Sequence, residues 1–336
     1  MKKIAINILK IGAILGLTYY LLDKTYGEED FSIYSEVIEN TNHFYFFLSI
    51  FFGFLSHISR SIRWKILLRA QNLEAPFKSL MFGTFFGYFV NIIIPRGGEV
   101  ARCTSVSLKE KLPLDKLIST VIIERAIDFI LLISLIFFVL FLNYDLFSGF
   151  FIEILNHLKN TLLNNSSLLI GVCTFFLLVV GFFFVFRKKL LAFKFVSKAE
   201  EFIRNILKGL ISIKKLDKPF AFIGHTAFIW LMYFMMTYIG FFGIPELSNL
   251  GPVDGLFVFI FGGIGMTIPS PGGTGSYHFV VGQGMHEILG VAEHIGKSFA
   301  LILHTYQTIF ILCMGIISYI YFWSSYKTRK NESKSN

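Results

Sequence analysis

Six ionisable residues lie where an apolar chain tolerates them least. Glu124, Arg125 and Asp128 fall one to two turns into the apolar run that begins near Leu117, and Arg96, Glu99 and Arg102 surround the break Ile94-Pro95-Arg96-Gly97-Gly98-Glu99 that ends an earlier run. A charge inside a bilayer costs about 2.5 to 3.5 kcal/mol on the insertion scale, so such groups pair and face protein or a polar cavity. Glu124 and Asp128 are four apart and Arg125 and Asp128 three apart, so a helix places them on one face, and the simplest packing brings all six together. Arginine offers a planar fork suited to phosphate. The freed N–H groups of a Pro-Gly-Gly turn, Gly98 among them, and the start of the half-helix after it favour an anion. Two readings follow. In one, the six form an ion-pair network that pins the break to the helix, with Arg125 on Asp128 and Arg102 on Glu99 or Glu124. In the other they hold a phosphate-bearing lipid headgroup; three arginines against three carboxylates leave no excess charge, so one pairing must loosen on binding.

A second break, Ile268-Pro269-Ser270-Pro271-Gly272-Gly273-Thr274-Gly275, interrupts an apolar run in the last third of the chain. Pro269 and Pro271 fix the backbone, whereas Gly272, Gly273 and Gly275 let it approach a ligand closely. Ser270, Thr274, Ser276, Tyr277 and His278 add hydrogen-bonding groups, with His278 either a packed residue or a proton carrier. Non-helical backbone at membrane depth must be shielded by protein or line a cavity, so paired breaks in separate halves point to the substrate site of a transporter. Other chemistry is not indicated. His286, Glu287, Glu293 and His294 lack an H-E-x-x-H arrangement, Cys103, Cys173 and Cys313 are far apart, and no phosphate-cradling Gly-Lys loop or catalytic triad can be assembled. No metal, cofactor or catalytic residue is expected.

The elements that must position these groups follow from composition. With 54% hydrophobic and 16% charged residues and a mean hydropathy of +0.64, the 336-residue chain is an integral membrane protein. Its net charge of +9 sits in short loops between apolar runs, which indicates membrane orientation rather than nucleic acid. Apolar runs extend from Ile4 to Leu22, Phe44 to Ser59, Leu80 to Ile94, Leu117 to Leu142, Leu168 to Phe186, Phe220 to Phe242, Val253 to Ile268, Tyr277 to Leu289 and Phe299 to Trp323. The first, without a peptidase site after it, reads as a retained helix. Several others are shorter than the roughly 20 residues of a full crossing. The basic groups Arg60, Arg63, Lys65, Arg69 and Lys78 before the first break, and Lys109, Lys111 and Lys116 after it, stay on one side only if the chain turns back at the break. The second break, flanked by loops without basic excess, turns back from the other side.

The expected fold is an all-α polytopic membrane protein of about six spans and two re-entrant hairpins resembling an inverted repeat. Kinks in tilted full spans are the alternative. Residues 1–326 form one transmembrane domain, 195–216 reads as an amphipathic helix on the cytoplasmic surface, and 327–336 as an irregular polar tail. Both termini are expected in the cytoplasm, with Asp23 to Asp30 outside and Arg187 to Lys189 inside.

With these motifs in view the chain resembles the transmembrane flippase region of the lysylphosphatidylglycerol synthase family, also called the uncharacterised protein family 0104 group. Pro95-Arg96-Gly97-Gly98-Glu99 with Arg102 is similar to its Pro-x-x-x-Gly-Glu-x-x-Arg signature, Glu124-Arg125 with Asp128 to its Glu-Arg-x-x-Asp, and Pro269 to Gly275 to its Pro-x-Pro-Gly-Gly-x-Gly. Members often carry an acid where this chain has His278, so a role inferred from that acid does not transfer. The resemblance implies a stand-alone translocator in the cell membrane that moves an anionic phospholipid, or a lipid-linked sugar or polyprenyl phosphate, between leaflets, and not an aminoacyl transferase. An intramembrane enzyme acting on lipid headgroups and a scaffold for a separate glycosyltransferase or synthase are the alternatives.

Overall fold

The computed structural model describes residues 2–27, 31–142 and 216–335, with side chains over 14–27, 32–141 and 216–324. Every regular element among them is helical: α1 (Lys2–Tyr26), α2 (Phe31–Glu39), α3 (His43–Arg69), α4 (Phe77–Ile93), α5 (Gly98–Glu110), α6 (Leu114–Leu142), α7 (Pro219–Phe241), α8 (Pro252–Thr267), α9 (Ser276–Leu289) and α10 (Glu293–Ser335), with single 3-10 turns at Pro245–Leu247 and Pro271–Gly273. The chain divides into two compact units, Met1–Glu124 with Ile213–Asn336, and Arg125–Ser212. Helix α6 passes from the first into the second, and 125–142 is the described part of the latter.

Three described helices are long and apolar enough to cross a membrane: α3, α7 and α10 over Glu293–Ser324. At 1.5 Å per residue the 27 residues of α3 reach about 40 Å, beyond the roughly 30 Å hydrocarbon layer. Helices α4 and α8, with 17 and 16 residues, reach only about 25 Å and cannot cross. The antiparallel pair α3 and α7 is tied where α3 starts and α7 ends, the Asn42 N–H donating to the Gly243 carbonyl at 2.7 Å. Phe46, Phe241 and Phe299 are fully buried beside this junction, and they meet because Gly240 carries no side chain: a Cβ there would stand 2.9 Å from the Phe299 ring. Hydrocarbon gives little reward for burying apolar side chains against one another, so close packing on small residues holds membrane helices together.

Both breaks reverse the chain. On α4, Gly83 and Gly87 form a small-residue stripe one turn apart that faces α5; a Cβ would come 2.7 Å from Val106 at the first and 2.8 Å from the Gly98 carbonyl at the second. Residues 87 and 98 therefore touch, which a kinked but continuous span does not allow. The Gly98 N–H donates to Asn91 Oδ1 at 2.7 Å and closes the turn. In the second hairpin a Cβ on Gly262 or on Gly265 of α8 would stand 2.9 Å from Tyr277, so α9 packs against α8 only because each position carries a hydrogen. The two tips meet. Arg96 donates from Nη2 to the Thr267 carbonyl at 2.9 Å, and a Cβ on Gly272 would lie 3.2 Å from Ile92.

Two expectations require correction. The basic segment after Ser59 is not a loop, because α3 continues unbroken to Arg69 and carries Arg60 and Arg63 within it; no Gly or Pro stands between Ser59 and the left-handed Asn72. Helix α10 runs to Ser335 through the stretch expected to be an irregular tail, which likewise lacks Gly and Pro. Helix α2 is not legible in the sequence as a separate element. The span at 168–186, the basic residues 187–189, the acidic residues 28–30 and the amphipathic helix expected over 195–216, except Leu216, lie outside the described residues.

Candidate functional site

One carboxylate organises the buried charge. Glu124, fully buried on α6, accepts from Arg60 Nη1 at 2.8 Å and lies 3.5 Å from Arg63 Nη2. It also takes both arms of Arg102, Nη1 on Oε1 and Nη2 on Oε2 at 3.3 Å each. Arg60, Arg63 and Arg102 are themselves 3%, 0% and 4% exposed, so these ions have left water entirely. Desolvation costs several kcal/mol per ion and is repaid only by short charged contacts of this kind.

Packing fixes the geometry. The Arg102 guanidinium lies over the Trp64 ring with Cζ 3.9 Å from its centroid, a cation–π stack. Trp64 in turn donates from Nε1 to Thr120 Oγ1 at 2.9 Å, one turn before Glu124 on α6. Arg63 donates to Thr226 Oγ1 at 3.3 Å, and Ser61 to Thr84 Oγ1 at 3.3 Å. Helix α3 thus meets α4, α5, α6 and α7 through polar side chains over a short length.

Of the six residues expected to cluster, the structure joins Arg102 to Glu124 and Arg125 to Asp128, the latter 3.3 Å apart across one helical turn. Arg125 and Asp128 belong to the second compact unit. Glu99, half-buried on the first turn of α5, makes no ion pair among the described residues. Arg96 sits at the exposed tip with φ +61°, a left-handed conformation that costs a non-glycine residue about 1 to 2 kcal/mol. Its bond to Thr267 holds it there. Gly98 is buried against Gly87 and Asn91.

At the second tip Gly272, Gly273 and Gly275 adopt φ of +59°, +86° and +81°. Protein fills the close approach they allow: Ile92 lies against Gly272, Met266 against Gly273, and Thr18 and Leu21 of α1 against Gly275. Pro269 and Pro271 bracket Ser270, whose hydroxyl lies 2.6 Å from that of Ser276. His278 takes the helix-capping position of α9, accepting at Nδ1 from the Gly275 N–H at 3.2 Å. That is the reach-back an acidic or amide side chain makes three residues into a helix. Its ring stands 4.8 Å from His304, and His304 Nε2 donates to the Gly272 carbonyl at 3.0 Å.

Arg60 and Arg63 are the site residues that sequence reasoning assigned to a loop. A helical stripe carried the signal: Ser49, Gly53, Ser56, Arg60, Arg63 and Leu67 follow one another at spacings of four and three, and on α3 all are buried. Lys65 and Arg69 stand off that stripe and are half-buried and exposed.

The family model of the lysylphosphatidylglycerol synthase TM region matches residues 7–315. A curated relative, the UPF0104 membrane protein MJ1595 of Methanocaldococcus jannaschii, is 30% identical over 151 residues, 41% of this chain and 45% of the relative. The match thus spans less than half of that protein's length. No solved structure matches the chain.

Proposed function

The chain belongs to the family of the lysylphosphatidylglycerol synthase transmembrane region, and we propose that it translocates an anionic phospholipid, or a lipid-linked sugar or polyprenyl phosphate, between leaflets. The meeting of two short hairpins tip to tip, Arg96 on the Thr267 carbonyl, carries this reading. Such a junction puts irregular backbone and a guanidinium between helices too short to cross, the arrangement in which discontinuous helices hold substrate near the bilayer midplane. The phosphate would exchange the carbonyl for its own oxygens on Arg96, while acyl chains stay in lipid. Arg102, Glu99 and Glu124 would hold the helices and orient the headgroup. The chain itself would have no catalytic role.

The test is leaflet translocation of fluorescent phosphatidylglycerol and of a lipid-linked sugar in proteoliposomes, read by an external quencher. Wild type should expose inner-leaflet probe, and Arg96→Gln, which alters only the exposed tip, should slow exposure while the protein stays monodisperse. Probe movement no faster than in empty liposomes for both lipids refutes translocation. A change in lipid mass on incubation would instead identify an enzyme acting on headgroups.

A further inference from the structure

Helices α3 and α7 leave a cleft between them that the charge cluster does not use. Leu55, Ile58 and Ile62 of α3 and Ala221, Gly224 and Phe228 of α7 line it, and its volume is about 480 Å³, within the range of small-molecule sites. Ser59 and His225 supply its polar contact, Ser59 Oγ lying 2.9 Å from His225 Nδ1. A Cβ on Gly224 meets nothing within 4 Å. The cleft opens on an apolar face, with Phe220, Ile223 and Leu231 88%, 55% and 52% exposed. Such a face on a membrane helix touches lipid rather than water.

One end of the cleft is basic. The lining positions of α3 continue one and two turns on at Lys65 and Arg69, and the antiparallel α7, whose first turns meet α3 through the bond from Arg63 to Thr226, is capped at that end by Lys218, one turn before Ala221. None of the three makes an ion pair among the described residues, and Asp217 precedes Lys218 in the chain. Three residues of helix separate Ile62 from Lys65, about 4.5 Å. An apolar slot that ends one turn below a group of cations has the form of an acyl chain below a phosphate.

We propose that this cleft is a docking site for one anionic diacyl phospholipid of the leaflet on the Lys218 side, with a chain against Gly224 and the phosphate over Lys65, Arg69 and Lys218. This lipid is a resident of the outer surface of the helix pair, separate from the translocated one, and its binding is read without any transport measurement.

Native mass spectrometry of the full chain, released from micelles doped with equal phosphatidylglycerol and phosphatidylcholine, tests it. Wild type should retain one phosphatidylglycerol in preference to phosphatidylcholine by about 30-fold or more, as two to three cations at about 1 kcal/mol each produce. Gly224→Leu, whose Cβ meets no atom within 4 Å and whose side chain takes up room in the slot, should lose the retained lipid. Lys65→Gln with Lys218→Gln should keep a lipid but lose the headgroup preference. Equal retention of the two lipids by wild type, undiminished retention by Gly224→Leu, or a second copy of the chain in place of lipid overturns the assignment.

Discussion

Removing the Glu124 carboxylate should unfold the protein more readily than removing any one of the arginines around it. Three guanidinium groups, at 2.8, 3.5 and 3.3 Å, depend on one carboxylate that has no exposure to solvent. Deleting one member of a buried pair typically costs about 3 to 5 kcal/mol, because the survivor is left charged in a low-dielectric site. Glu124→Leu takes this carboxylate from all three groups at once and belongs at or above the upper end. Arg102→Met removes the bidentate contact and the stack on Trp64 but leaves Arg60 and Arg63 to balance Glu124, which puts it near the lower end. The double variant should cost clearly less than the sum, since each change removes the partner the other strands. Reversible unfolding in mixed micelles, followed by tryptophan fluorescence for wild type, both single variants and the double, gives the coupling energy directly. A coupling of about 2 kcal/mol is expected, within the range of residues that share one ion-pair network. Additivity within about 0.5 kcal/mol, the behaviour of independent sites, would refute the account of Glu124 as the shared anchor.

Other substitutions probe the remaining contacts. Gly98→Ala drives a methyl into the Gly87 carbonyl and Asn91, so the first hairpin should lose about 1 to 3 kcal/mol, seen as a lower melting temperature in detergent. His278→Leu removes the acceptor for the Gly275 N–H and should cost about 1 kcal/mol, whereas His278→Gln, which restores an acceptor in the capping position, should recover most of it; equal melting of the two variants would exclude the cap. Trp64→Phe keeps a ring beneath Arg102 but loses the bond to Thr120, which should cost about 1 kcal/mol in the same assay and leave translocation intact.

The helical class, the reversal at each break and the pairing of Arg102 with a carboxylate, either Glu99 or Glu124, were legible in the sequence, because each follows from a local rule. A proline followed closely by paired glycines ends a helix, and a charge in an apolar run must find its opposite. What escaped is what local rules do not decide. Arg60 and Arg63 read as interfacial because basic residues at the end of an apolar run usually face headgroups, and only their phase with Gly53 and Ser56 marks the inward face. Glu99 has the type and position of a site residue, yet Arg102, one turn on along α5, reaches Glu124 instead. The Pro-Gly tip looked open to a ligand from its glycines. Ile92, Met266 and the end of α1 occupy that space, and Ile92 and α1 are remote from the motif in sequence.

The ions make the two hairpins mechanically unequal. The return arm of the first is riveted through Arg102 to α6 and, by way of Trp64, to α3, so displacing it would tear charges apart in a dry interior. Among the described residues the second hairpin makes no ion pair; it leans on aromatic rings through its glycines and on neutral hydrogen bonds. Sliding such surfaces costs far less than separating ions. The junction of the tips therefore joins an arm held by buried charge to one held by apolar packing and neutral contacts, with α1 resting on the glycine tip of the second.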